Sequence, residues 1–448
     1  MNTSEKFLTL LDQTFIDKTY RRTLERFRRS MLDYVACTLA GSALLRDKTT
    51  KYLAFENPSK GNYTAIGVGS FSSLKEVVFL NGLNSHALDF DDGTNAGIIH
   101  LGSPIFSTLL PLARKYSVSF DRFFRAVVLG YECSFTLANT IQPRHKELGY
   151  HATGTCGVIG VALAIAELLD FTSEERAGTF AASCASASGC LKVLDDGSEL
   201  KPYNVGKAAL LGLTSAQVGK SGFRGSPDPL GGERGFLTMA TRQKEIELQT
   251  TLLNGTFAIE KTYTKPYAAC RYCHPSIDAA IYLRDRLEVP VEKIDHILVK
   301  TYSLAVFKHD HTENPTSASA KMSIPYGVAV GLLDGKAGLR EYEPSRVAAS
   351  DVSKLARKVK VVADANFTRD FPVRSSALVE ATTLDGKVFS YQVDVPKGEP
   401  ENPLDESEFH TRFLDLVQYG GKTSAEGERL YEVASGFSGD WEALFALL

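Results

Sequence analysis

The stretch Lys265–Asp278, KPYAACRYCHPSID, lies where the chain changes character, and its reading decides how the two kinds of text on either side are assembled. It holds a lysine, an arginine, a histidine and two cysteines, then runs into an apolar helical pattern opened by Pro275. Its letters include C-x-x-C-H, the attachment signature of c-type haem, and they equally fit a redox pair or half a zinc site. The N-terminus, MNTSEKFLTLLDQTF, has no basic region followed by an apolar core, so no export signal is expected and haem attachment is disfavoured. A zinc site would need paired ligands elsewhere, and no second C-x-x-C or H-x-x-x-H exists. No metal and no cofactor are therefore expected. The seven cysteines read as reduced thiols of a cytoplasmic protein. A lysine and a histidine set out for anion binding or acid–base work remain.

Upstream of this stretch the text is helical. Leu8, Leu11 and Phe15, then Leu24, Phe27, Met31, Tyr34 and Val35, recur at three- and four-residue steps, predicting helix over 5–45. Residues 62–70 read as a glycine-containing loop. Ser73 to Glu76 reads as a capping box opening a helix that ends near Leu88. Ser103-Pro104 reads as an N-cap and first helical position. Residues 119–141 are periodic, and VIGVALAIAELL is apolar nearly all round, the mark of a buried helix. A second capping box, Thr172 to Glu175, opens another helix rich in small residues. The long polar loops at 89–102, 191–202 and 223–236 are the kind that carries function on a helical scaffold.

Downstream the periodicity changes. FAIEKTYTKPY has alternation and aromatics, KIDHILVKTYSL alternates like a strand, residues 315–334 return to helix, and VKVVAD is a strand. Asp385-Gly386 centres a hairpin. A third capping box at Asp405 to Glu408 starts helical text that runs to the end. The fold class expected is mainly α with an inserted α+β domain. The all-helical domain takes residues 1–262 and 398–448, and the α+β lid takes 263–397.

The chain has 448 residues, is 44% hydrophobic and 23% charged, and carries a net charge of −3, the composition of an ordinary globular protein. With no basic run, nucleic acid is excluded as the expected partner. No apolar run approaches the length of a membrane span.

Four clusters place ionisable residues in loops beside apolar helices. They are His86, Asp89, Asp91, Asp92 and His100; His151; Lys201; and Lys265, Arg271 and His274. Tyr326 in MSIPYGVAVGLL is a fifth candidate. Lys201, directly before a Pro-initiated helix, puts a cation at the positive end of a helix dipole, a conflict that a bound carboxylate would relieve. Lysines, histidines and helix N-termini together suit a small polycarboxylate. A histidine or lysine can take a proton α to its carboxylate while cationic donors stabilise the enediolate. Spacing alone does not bring the clusters together in space.

DFDDG followed by His100, GYHATGTCGVIG, ELKPYNVGKAALLGLTSAQ, GFRG ahead of LGGERGF, KPYAACRYCHPSIDAA and SIPYGVAVGLLDG occur in order along the chain. In this the sequence resembles the MmgE/PrpD superfamily, which includes 2-methylcitrate dehydratases, cis-aconitate decarboxylases and iminodisuccinate epimerases. The resemblance implies a cofactor-free homodimer with its site between an all-α domain and a lid. It implies that Asp91, His100, His151, Lys201, Lys265, His274 and Tyr326 face that site, with His100 oriented by Asp91 as the acid–base group. The function expected is a lyase, hydro-lyase in type, acting on a di- or tricarboxylate. The alternatives are an epimerase using the same proton abstraction, a decarboxylase, or a carboxylate-binding protein without activity.

Overall fold

The computed structural model describes residues 1–13, 21–194, 198–244, 246–250 and 255–448. It is 58% helix and 10% strand, which makes the class mainly α with small sheets. In chain order the first elements are α1 (Thr3–Gln13), α2 (Arg21–Leu44), α3 (Arg46–Glu56), β1 (Lys60–Ala65), β2 (Gly69–Phe71), α4 (Leu74–His86), α5 (Gly102–Lys115) and α6 (Phe120–Ile141). There follow α7 (Arg144–Glu147), α8 (Ala152–Leu168), α9 (Ser173–Ser186), α10 (Lys201–Lys220), α11 (Phe236–Thr241) and α12 (His274–Arg284). Residues 14–20 of the expected first helical stretch lie outside the described residues.

Helix α8 is the hub. All but one of its residues are buried, as its all-round apolar text requires, and α5, α6, α9 and α10 pack on it. The helix Glu406–Tyr419 returns to pack on α2, where Arg412 forms an ion pair with Asp33 at 2.6 Å. Strands β3 (Ile294–Thr301), β4 (Val359–Ala363), β5 (Ala377–Thr383) and β6 (Val388–Val393) form one sheet in the order β4-β3-β5-β6. Its β3–β4 pair is parallel and its other pairs antiparallel. Ala377, Val379, Ala381 and Thr383 of β5 alternate inward, and α12 covers that sheet. Among the described residues no helix is long and apolar enough to cross a membrane. The seven cysteines are free thiols.

Local expectations fail where tertiary contacts override short-range text. Residues 62–70 belong to a hairpin, β1–β2, instead of a loop. Its strands are too polar and too short to show a period. It is held by the Asn81 side chain, which accepts from the Ile66 backbone N–H at 2.8 Å, and by a small cluster around Phe79 and Leu80. Ser103 is no N-cap: α5 begins at Gly102, and the Ser103 hydroxyl donates to Asp91 at 2.7 Å. The expected helix over 315–334 is interrupted and restarts at Ile324, capped by Ser323. The alternating, aromatic text after Phe257 forms a 3₁₀ turn at Ala258–Lys261. Of the three expected capping boxes, those at Thr172 and Asp405 close in both directions, while at Ser73 only the serine side chain caps.

Candidate active site

Helices α4 and α10 cross through two glycines. A Cβ built on Gly82 would sit 2.8 Å from the Gly206 Cα, so only glycine permits this approach. The crossing sets His86, last residue of α4, and Lys201, first residue of α10, around the loop 87–101. That loop carries Asp89, Asp91, Asp92 and His100.

Asp89 has a left-handed backbone (φ 53°), a conformation Asp tolerates better than most residues. It turns its carboxylate between two lysines. Lys201 Nζ lies 2.6 Å from Oδ2, and Lys265 Nζ donates at 2.7 Å both to Oδ1 and to the Asp89 carbonyl. The cation placed at the positive end of α10 is thus answered by the chain's own carboxylate. Burial pushes the Asp89 carboxyl up, but Lys201 and Lys265 outweigh it and hold the group well below the usual range. Burial likewise pushes the Lys201 ammonium down, and Asp89 more than offsets it. Arg412 anchors both sides of the arrangement, donating to the Lys265 carbonyl at 2.6 Å and to the Phe90 carbonyl at 2.8 Å.

Asp91 bridges two imidazoles. Its Oδ1 is 2.7 Å from His86 Nδ1, and its Oδ2 is 3.3 Å from His100 Nδ1. His100 Nδ1 also meets the Asp92 carbonyl at 2.8 Å. Two acceptors at one nitrogen fix the proton on Nδ1 and leave Nε2 with a free lone pair, 3.8 Å from Asp89 Oδ1. Burial raises the Asp91 carboxyl, yet His86 and His100 bring it well below the usual range. Burial drags His86 down to about 4, so at neutral pH it is an uncharged hydrogen-bond donor to Asp91. Asp92 binds the first turn of α5: Gly102 N–H donates to it at 2.9 Å and the Tyr131 hydroxyl at 2.7 Å.

His100, Lys201 and Lys265 border a cavity of about 130 Å³. Four lysines, Arg271 and three histidines line it, and no carboxylate does among the described lining residues. Ile98 on its wall has φ 47°, an outlier for a β-branched residue, of the kind that clusters at functional sites. His151 borders the cavity too. Burial and then Lys201 hold its pKa well below the ordinary value, and its Nδ1 is buried without a hydrogen-bond partner.

Three expected residues differ from their sequence reading. Arg271 touches the cavity, but all five of its N–H groups are spent. Two go to Glu399 (3.0 and 2.6 Å), others to the Lys397 and Pro396 carbonyls, and one to His274 Nδ1 at 2.9 Å. His274 is fully buried, with Nδ1 accepting from Arg271 and Nε2 donating to the Ala269 carbonyl at 3.1 Å, so neither nitrogen is free for acid–base work. Tyr326 donates its hydroxyl to the Glu341 carbonyl and does not border the cavity. Sequence reasoning left Asp89 inside a cluster without a role and missed Lys146 and His309, which line the cavity from ordinary-looking text. Lys146 lies five residues before His151, the one cue available.

His86, Asp89, Asp91 and His100 each present a ligand atom within 4.8 Å of the others. A divalent ion there would have to displace two lysines from Asp89 and two imidazole protons from Asp91, so the electrostatics favour an anion beside the cluster.

Two family models match the chain: the MmgE/PrpD N-terminal domain over residues 6–249 and the MmgE/PrpD C-terminal domain over residues 267–435. Among curated proteins the chain is similar to the cis-aconitate decarboxylases of Homo sapiens and Mus musculus. It is 22% identical to each, over 435 and 433 residues, covering 92% of this chain and 86% of each relative.

Proposed function

Because the chain belongs to the MmgE/PrpD family, whose type of activity is dehydration or decarboxylation, we propose that it is a cofactor-independent lyase acting on a small di- or tricarboxylate. His100 Nε2 takes the proton α to a carboxylate, while Asp91 and the Asp92 carbonyl hold the imidazole in the tautomer that leaves Nε2 basic. Lys201 and Lys265 stabilise the enediolate, with Asp89 pairing with both ammoniums and fixing their positions. His151 completes the carboxylate contacts. Loss of a β-hydroxyl as water then makes the enzyme a hydro-lyase.

The observation that carries this reading is the His100 imidazole, held through Nδ1 by Asp91 and the Asp92 carbonyl with Nε2 left over, at a cavity lined by cations. The similarity to decarboxylases favours a second reading, in which C–C cleavage releases CO₂, the lysines stabilise the carbanion left behind, and His100, entering the step as the imidazolium, delivers a proton to it. The protein acts as a homodimer, with a helical domain of residues 1–262 and 398–448 and a lid of 263–397. The test is deuterium exchange at α-carbons across a carboxylate panel in D₂O. A new alkene absorbance identifies the hydro-lyase, released CO₂ the decarboxylase, and exchange with altered optical rotation alone an epimerase. Absence of exchange with every acid refutes the reading.

A further inference from the structure

A second group of polar side chains on the cavity wall is not used by this chemistry. Lys146, half-buried, donates from Nζ to the Tyr272 hydroxyl at 2.8 Å and lies 4.2 Å from the centre of that ring. No carboxylate pairs with it among the described residues. Burial lowers the ammonium to about 8, Cys270 partly offsets that and Lys201 adds to it, so the group is mostly charged at neutral pH. His309 packs edge-on against the same Tyr272 ring at 5.3 Å. Its Nδ1 sits 2.7 Å from the Phe307 carbonyl and therefore carries the proton. Its Nε2 is buried with no hydrogen-bond partner, although the residue is only 5% exposed and borders the cavity. Buried polar atoms in native proteins are nearly always paired, so an unpaired one on a cavity wall marks a place where a ligand atom completes the set.

The donor and acceptor inventory defines the ligand. Lys146 and the Tyr272 hydroxyl offer donors to an anion, whereas His309 Nε2 offers only a lone pair and needs a donor from the ligand. A plain carboxylate cannot meet both demands, but a carboxylate with a hydroxyl on a neighbouring carbon can. We infer that Lys146, Tyr272 and His309 form a subsite for a hydroxy-carboxylate group, with Lys146 and Tyr272 on the carboxylate and His309 accepting from the hydroxyl. This rests on the carboxylate reading of the cavity and selects the hydroxylated acids within it.

Citrate and tricarballylate share one carbon skeleton and differ by the hydroxyl, so calorimetric titration of the full chain with each at neutral pH tests the subsite. Citrate is expected to bind about tenfold more tightly, the worth of one hydrogen bond to an otherwise unsatisfied group. His309→Leu should bring that ratio near one, and His309→Gln, which keeps an acceptor, should restore part of it. Lys146→Met should weaken both acids about tenfold and leave the ratio standing. A wild type that binds both acids equally, or a His309→Leu or Lys146→Met chain that binds as the wild type does, overturns the subsite and leaves the carboxylate reading intact. A wild type that binds neither acid overturns the subsite, and absence of α-proton exchange across the whole carboxylate panel as well overturns the carboxylate reading.

Discussion

Two segments supply most of the ionisable residues that the sequence offers for chemistry, and they behave in opposite ways. The loop 89–100 brings His100 to the cavity and sets its carboxylates behind the cavity's cations and imidazole. Asp89 meets two lysines there, and Asp91 fixes one imidazole so that its second nitrogen stays free. The segment 270–275 turns its charges inward. Arg271 spends every donor on Glu399, two carbonyls and His274, and His274 spends both nitrogens on Arg271 and Ala269. The first segment is arranged around what is left unsatisfied and the second around satisfaction. That difference separates a reacting group from a structural one even when the residue types match.

The contrast is broken most directly by exchanging the two histidines' fates. His100→Ala should lower turnover on the order of 10⁴-fold, the upper range for removal of a general base, with the circular dichroism spectrum unchanged. His274→Gln, whose amide can accept from Arg271 and donate to Ala269, should keep turnover within about threefold of wild type at neutral pH. α-Proton exchange rates measure both, and a large loss at His274 with little at His100 would reverse the assignment. Next in size is Arg271→Met. It leaves the buried Glu399 with the neutral Asn95 amide in place of its ion pair and should lower unfolding stability by about 3 kcal/mol, read from urea midpoints. Lys201→Met should cost less, weakening carboxylate binding about a hundredfold in calorimetry, because Lys265 still holds Asp89.

Both the legibility of the site and its limits follow from the range of the forces involved. Capping boxes at Thr172 and Asp405 and the turn at Asp385-Gly386 were readable because each is decided within four residues. Lys201 is readable as a candidate because its charge conflicts with the helix start it opens, and His100 and Lys265 because each stands in a cluster of ionisable residues in a loop beside an apolar helix. Arg271 and His274 showed the same local signs, but the partners that hold Arg271 against His274, Glu399 and the 396–397 carbonyls, lie more than a hundred residues away in the chain. Lys146 and His309 sit in unremarkable helical and loop text. Only the shared Tyr272 ring marks them. The hairpin at 60–71 failed for a similar reason, its register being set by Asn81 and Phe79 outside the strands.

The smallest effect expected concerns protons, and it sharpens the contrast by giving each segment its own acid limit. Burial, then Arg271 and Lys265, hold His274 well below the ordinary histidine pKa of 6.5, so it stays neutral when folded and takes a proton when unfolded. The unfolded chain then binds more protons below pH 6.5, and stability falls as pH drops through that window. Asp91 is held well below its ordinary 3.8, so its contribution is present above pH 3.8 and is lost only below it. His86, His145, His151 and His309 are lowered as well, so the decline near pH 6 is shared among five histidines. Removing one should reduce the slope of unfolding free energy against pH by about 1.4 kcal/mol per pH unit, the value for one proton. Urea midpoints of His274→Gln between about pH 5 and pH 6.5 should therefore decline less steeply than wild type. A slope unchanged in His274→Gln would mean that this imidazole takes its proton alike in the folded and the unfolded chain, and the reading of segment 270–275 as satisfied and sealed would fail at its most sensitive point.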